Sequence, residues 1–363
     1  MKTARLTVVL FLVLASAGIA SAQGRREINI PDIPGYLTLK CDFHMHTVFS
    51  DGSVWPTVRV SEAWRDGLDC IAVTDHIEYH PKKDDIPINH KRPYEIAAGP
   101  AADYGILLIR AAEITRDTPP GHHNALFLDD IQPLDTKEFM DVMNAAKAQK
   151  AFVFWNHPGW KAKPGENYIA DINNEVREKG LIQGVEIVNG LTLYTDAWRW
   201  ALEHDLALMA DSDIHSPLDP RPQGEERHRP VTLVFARERT VEAVKDALVN
   251  GRTAIWHEKQ LIGKAWYLEA LFAESVKVAA PHQYKDNAVW IRVHNSSEIA
   301  YELTRTGKAG PAKTTLPAQS TMVFKIALDK ETHQAELAYT VDNLLTAPGK
   351  GLPITYTVTA PAK

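Results

Sequence analysis

Between Asp42 and His215 the sequence sets histidines and carboxylates in short clusters, most of them at the end of an apolar run. The first is Asp42-Phe43-His44-Met45-His46, followed by Asp51. Side chains two apart on a strand point to the same face, so His44 and His46 project together while Met45 faces away. Two imidazoles on one face suit a divalent metal; a hydrogen-bonded pair of core histidines is the plain alternative. Thr74-Asp75-His76 closes the very apolar run CIAVTDH. Ionisable groups buried there are costly unless they are paired or coordinate something, which makes His76 a candidate ligand and Asp75 a candidate to orient a neighbouring imidazole. Glu113 follows in ILLIRAAEIT, His122 and His123 in GHHNALF, and His157 at the end of AFVFWNHP. Glu186 sits in VEIVNG, and Asp213 and His215 close MADSDIH with the spacing of the first pair. Glu186 and Asn189 alone could simply brace the structure. The ensemble is harder to dismiss, because charged residues are rarely buried without partners.

Elements that alternate between strand and helix patterns must position these residues. The strand candidates are LTLKCDFHMHT, LDCIAVTDH, GILLIRAAEIT, AFVFWNH, GVEIVNG, LALMADSDIH and PVTLVFA. Between them VWPTVRVSEAWRDG, DTKEFMDVMNAAKAQK, TDAWRWALEHD and TVEAVKDALVNG carry apolar residues at helical spacing. This is the pattern of repeated βα units, and in a barrel of such units the C-terminal strand ends form one common mouth. Beyond Trp256 a helix is expected near LIGKAWYLEALFAES, then alternating strands separated by Gly, Pro and Asn, which predict a small antiparallel β-sandwich over 275–363.

The N-terminus, MKTARLTVVLFLVLASAGIASAQG, has Lys2 and Arg5 ahead of an apolar run and then Ala20-Ser21-Ala22. It reads as a signal peptide over 1–22, with export to the periplasm or beyond and a barrel over 23–274. The run falls short of the ~20 apolar residues of a spanning helix, so no stable membrane insertion is expected after cleavage. Only two cysteines occur, Cys41 and Cys70, each inside an apolar run; two buried thiols are expected rather than a bridge. Neither has the spacing of a zinc-thiolate site, so any metal must be held by nitrogen and oxygen. With a net charge of −6, no large basic surface is implied, and nucleic acid is not an expected partner.

The ordered clusters resemble those of the PHP (polymerase and histidinol phosphatase) superfamily, which is related in architecture to the metal-dependent amidohydrolases. The resemblance runs from Leu37 to Trp256. It implies a distorted (β/α)7 barrel holding two or three divalent metal ions, with zinc, manganese or iron compatible with the donor types. Nine positions match the family's ligands: His44, His46, Asp51, His76, Glu113, His122, His157, Asp213 and His215. His123 competes with His122, and adjacent residues on a strand face opposite ways, so one of the two is expected to join the site; the context Gly-His-His-Asn-Ala-Leu favours His122.

Clustered metals suit hydrolysis of a phosphate ester, most simply a phosphomonoester of a small molecule. Asp213 is the candidate to orient or deprotonate the attacking water, and His215 is a candidate to assist the leaving group. Arg116 and Arg92 are the positional candidates for binding an anionic substrate, with Lys82, Lys83, His90 and Lys91 in the same charged loop as Arg92. Trp155, Trp160 and Tyr194 are candidates to line a pocket, or are simply core. Two alternatives stand beside this reading: a phosphodiesterase or amidohydrolase-like hydrolase on the same site, and a secreted binding protein with a degenerate barrel.

Overall fold

The computed structural model describes residues 24–163, 165–218 and 228–360. The expected signal peptide lies outside the described residues. Among the described residues no helix is long and apolar enough to cross a membrane.

The first region comprises β1 (Leu37–Asp42), α1 (Pro56–Arg65), β2 (Cys70–Val73), α2 (Arg92–Tyr104), β3 (Leu107–Ile114) and β4 (His123–Leu126). It continues with α3 (Phe139–Ala148), β5 (Phe152–Trp155), α4 (Asp171–Glu178), β6 (Gly184–Asn189), β7 (Thr192–Leu193), α5 (Thr195–Glu203) and β8 (Ala207–Asp211). Strands β2, β5 and β8 are buried along their whole length. Continuous apolar runs of this kind belong to strands covered on both faces.

β1, β2 and β3 pair in parallel, as do β5, β6 and β8. β4 joins the two groups by pairing antiparallel to both β3 and β5. Beyond the ends of β1 and β8, the Asp213 amide donates to the His44 carbonyl at 2.8 Å and the His46 amide to the Ile214 carbonyl at 3.0 Å. These bonds close a ring of seven strands, a distorted barrel with one strand reversed. β4 is missing from the strand candidates, although the facing rule applied to His122 and His123 presumes a strand there, because four residues between two loops give no readable period. α2 was likewise not expected: Pro93 opens it, and Gly99 and Pro100 interrupt it, so its breakers hide its pattern.

The last barrel elements lead outward. β9 (Val231–Ala236) runs antiparallel along β1, and after α6 (Val241–Val249), β10 (Thr253–His257) pairs with β9 and β11 (Gln260–Gly263) with β10. α6 begins at a conventional cap, the Thr240 hydroxyl accepting from the Ala243 amide at 3.2 Å. The helix expected near LIGKAWYLEALFAES is shorter: α7 spans Ala265–Ser275, and the residues before it form β11.

From α7 the chain enters two antiparallel sheets. One gathers β12 (Val276–Val278), β13 (Gln283–Lys285) and β17 (Ser320–Ala327) around β14 (Ala288–Asn295). The other holds β15 (Tyr301–Arg305), β16 (Lys313–Leu316), β18 (Gln334–Ala347) and β19 (Lys350–Thr359). Buried and exposed positions alternate along most of β14, the pattern of a sandwich strand with one face in a core. β18 also pairs in parallel with β11 through Leu261↔Leu344 and Ile262↔Leu345, so the barrel's sheet continues into the sandwich. One apolar cluster crosses this seam, running from Val60, Leu68 and Phe235 through Trp256 and Leu261 to Tyr301 and Val341. Each fully buried aliphatic side chain in it contributes about 2 kcal/mol.

Candidate metal centre

All nine histidines and carboxylates singled out above as ligand candidates come together at the mouth of the ring, although the sequence spreads them from β1 to the segment after β8. They fall into four overlapping groups whose donor atoms lie within 4.8 Å of one another. The groups are His46, Asp51, His76 and His215; His44, Glu113 and His157; His44, His46 and Asp213; and His76, Glu113 and His122. Glu113 is the hub, with carboxylate oxygens 2.7 Å from His76, 3.1 Å from His122, 3.4 Å from His44, 3.5 Å from His46 and 3.6 Å from His157.

Local geometry explains how each residue arrives. His44 and His46 project from the extension of β1, their rings 5.2 Å apart, with Met45 between them buried in the core. Gly52 lets the Asp51 loop lie against the His46 backbone; a Cβ there would come within 2.4 Å of the His46 carbonyl carbon. His157 and Asp213 both adopt positive φ, 27° and 50°, in a region that residues other than glycine rarely occupy. Strain of this kind collects at functional sites.

His123, the rival of His122, is buried on the other side of β4, packed 5.4 Å from the Phe139 ring, and reaches none of the four groups. Burial and the neighbouring His122 hold its pKa down at about 3.

A surrounding set of polar groups fixes which ring nitrogen carries the proton. The Nδ1–H of His44 donates to Glu186 Oε1 at 3.0 Å, turning Nε2 toward the cluster. Glu186 Oε2 accepts from the His157 amide at 2.7 Å and from Asn189 at 3.0 Å, and Asn189 also donates to Asp213 at 3.1 Å. The bracing function open to Glu186 and Asn189 is thus exercised on three of the cluster residues. His215 Nδ1–H donates to the Asp213 carbonyl at 2.8 Å. Asp75, expected to orient a neighbouring imidazole, reaches His46 through Ser50. The Ser50 hydroxyl gives its single proton to Asp75 at 2.6 Å, so its lone pair faces His46 Nδ1 at 3.4 Å.

Sequence reasoning did not single out Ser50, Thr115 or Asn156. Thr115 Oγ1 lies 2.6 Å from His76 Nδ1, and Asn156 donates to Glu113 at 2.8 Å. The one sequence signal for Asn156 is its place beside His157; Ser and Thr carry none.

The residues proposed to contact substrate are otherwise engaged. Arg116 pairs with Glu78 and donates to the carbonyls of Thr115 at 2.9 Å and Thr136 at 2.8 Å. Arg92 opens α2, exposed, and pairs with Glu95 at 2.7 Å. Neither is among the residues gathered in the cluster. From the same loop, Lys82 does approach: its ammonium donates to the Gly52 carbonyl at 2.7 Å and the Ser50 carbonyl at 3.3 Å, on either side of Asp51.

The cluster has the electrostatics of a cation site. His44 Nε2, His46 Nε2 and Glu113 Oε2 are buried with no hydrogen-bond partner. His46 Nε2 nonetheless stands 3.0 Å from Asp213 Oδ1, and His44 Nε2 3.2 Å from the same oxygen. Lone pairs brought this close in a buried site are unfavourable unless a positive charge lies between them. Burial alone would lower the pKa of His76, yet the carboxylates of Glu113 and Asp51 outweigh it and push it up to about 10. His44 and His215 are raised in the same way, against burial, by their carboxylate neighbours. Asp51, Glu113 and Asp213 are held well below the usual carboxylate range by the surrounding imidazoles, although burial opposes this. Mixed imidazole and carboxylate donors that demand positive charge suit borderline divalent metals. Fold and site together define a metal-dependent hydrolase barrel.

Comparison with known proteins extends this. An Ig-like domain family matches residues 276–357. No curated protein matches the sequence. Among solved structures, a Bacteroides vulgatus protein described as a two-domain protein containing a predicted PHP-like metal-dependent phosphoesterase is 39% identical. The alignment covers 93% of this chain and all of that one, at a TM-score of 0.89. An amidohydrolase from Chromobacterium violaceum aligns at 16% identity over 50% of this chain and 92% of its own; its TM-score of 0.37 is too low to carry weight. The chain belongs to the two-domain PHP-like metal-dependent phosphoesterases, with an Ig-like domain following the barrel.

Proposed function

We propose that the nine clustered residues hold two or three divalent ions, zinc, manganese or iron, and that the protein hydrolyses small phosphate esters, with phosphomonoesters preferred. The observation that carries this reading is the convergence of nine candidate donors, among which His44 Nε2, His46 Nε2 and Glu113 Oε2 are buried with no hydrogen-bond partner. Bound ions would neutralise charge on the phosphate oxygens and make water acidic enough to react near neutral pH.

The chain's own groups supply orientation and proton handling. Asp213 is proposed to accept the proton of the attacking water, its carboxylate being steered by Asn189 and its backbone by His215. The water oxygen bonds to phosphorus as the bond to the leaving oxygen breaks; the electron pair goes to that oxygen, which takes a proton from solvent at the open mouth. His215 is proposed to take part through Asp213, its Nδ1–H being committed to the Asp213 carbonyl while its Nε2 faces Asp51 as a ligand. The N-terminal 22 residues are proposed to direct export, on the strength of their basic, apolar and small-residue order.

The test is phosphate release from a panel of monoesters, diesters and amides by protein beginning at Gln23, before and after chelation and re-addition of Mn or Zn. Monoester hydrolysis that chelation abolishes, metal restores and His44→Ala eliminates is the expected result. Bound metal together with amide cleavage and no phosphate release would overturn it.

A further inference from the structure

The three aromatic candidates near the site separate in the structure. Trp155 is 1% exposed and belongs to the core, and Tyr194 is partly buried against Gly159. Trp160, in contrast, is 55% exposed although its ring lies 5.5 Å from that of His122 and 5.4 Å from that of His157. Tyr79 is 51% exposed and meets His76 edge-on at 5.8 Å. Since His76 and His122 are themselves 5.7 Å apart, the four rings form a row, Tyr79, His76, His122, Trp160, with the ligand candidates inside and the exposed aromatics outside.

Trp160 is held in this place by local structure. Its amide donates to the His157 carbonyl at 2.9 Å, closing a tight turn directly behind a cluster residue. Within the turn, Gly159 lies so close to Tyr168 and Tyr194 that a Cβ would sit 3.0 Å from each, which keeps the turn pressed against the barrel. The Lys161 ammonium lies over the indole at 4.6 Å, a cation–π contact that further fixes the ring. A tryptophan fixed beside the cluster with its ring half in solvent offers a face to a flat ring, bound by offset or edge contacts.

We propose that Trp160, packed beside His122 and His157, forms an aromatic subsite for the leaving group, so that the preferred substrates are phosphate esters of alcohols bearing an unsaturated ring. The proposal rests on the phosphoesterase reading, and its test separates the two. Benzyl, cyclohexylmethyl and ethyl phosphate share alkoxide leaving groups of similar acidity and differ in the ring. The kcat/KM for benzyl phosphate should exceed those of both others by about tenfold, and in Trp160→Ala that preference should collapse toward one, with Trp160→Phe retaining most of it. Calorimetric binding of benzylphosphonate, which has no ester to cleave on its ring side, should weaken in Trp160→Ala by a similar factor. Bound metal and melting temperature report whether the variant is intact. Equal rates for benzyl and cyclohexylmethyl phosphate, or a preference that survives Trp160→Ala, would overturn the subsite. Trp160-dependent phosphonate binding without hydrolysis of any ester would support it and overturn the phosphoesterase reading instead.

Discussion

The barrel mouth and the C-terminal sandwich handle buried polar groups in opposite ways. In the sandwich, Asn295 donates to the carbonyls of Ile299, Leu316 and Pro317 at 2.8, 3.2 and 3.0 Å, and its side-chain oxygen accepts from both the amide and the hydroxyl of Ser297. The Tyr301 hydroxyl is likewise paired with Ser275 and Ser297. Among the described residues, the one orphaned buried side-chain atom from Val276 onward is an oxygen of Glu298. That carboxylate's other oxygen is bound to Arg26. At the mouth, two imidazole nitrogens and one oxygen of the hub carboxylate are left without a hydrogen-bond partner within a few ångströms of one another. A region whose work is done once folded satisfies its polar groups; a region awaiting a ligand withholds them.

Replacing the hub should break this contrast most severely. Glu113→Gln keeps the volume and removes the charge that five histidines face, so bound metal should fall below one equivalent by elemental analysis, and phosphate release by on the order of a thousandfold. Retention of full metal content would show that Glu113 is no ligand. Glu186→Gln acts one bond further out: losing the charge that orients His44 should weaken metal binding by roughly 10 to 100-fold in a competitive chelator titration. A Kd within twofold of the parent would reduce Glu186 to a brace.

On the satisfied side the effects should be smaller and of another kind. Tyr301→Phe removes a buried hydroxyl that is fully used, and should cost about 1 kcal/mol in denaturant unfolding with metal affinity unchanged. Altered metal affinity would mean that the seam transmits between the two regions. The smallest expected effect concerns His257, at the end of β10, where burial lowers the pKa. A histidine that resists protonation when folded contributes fully above the unfolded value of about 6.5, and that contribution is lost as pH falls below it. His257→Leu should therefore narrow the gap in melting temperature between pH 7.5 and 5; an unchanged gap would place the acid sensitivity elsewhere.

What the sequence revealed follows from where chemical type and period coincide. Strands β1, β2, β3, β5, β6, β8 and β9 stood out as apolar runs, and the cluster residues stood out because a histidine or carboxylate ending such a run needs a reason. The groups that position them were silent: Ser50, Thr115 and Asn156 are residue types found in any loop, and only the fold sets them against His46, His76 and Glu113. Of Arg116 and Arg92 the sequence showed the position but not the partner. A cation's position in a loop does not disclose its partner, and Glu78 lies 38 residues before Arg116. The breakers in α2 and the brevity of β4 hid two elements whose stability comes from packing rather than from local preference.

The pairing of β1 with β9 also sets an order of events for the nascent chain. β2 follows β1 within about 30 residues, but Leu37 waits for Ala236, about 200 residues later, before its other edge is covered. At roughly 5–20 residues per second, that interval is tens of seconds in which the strand leading into His44 and His46 has an open edge. The candidate ligand pair is thus among the first parts of the site to be synthesised and, through β9 and the bonds to the segment after β8, among the last to be fixed. The first strand of the barrel therefore cannot lock into place until most of the barrel has been synthesised.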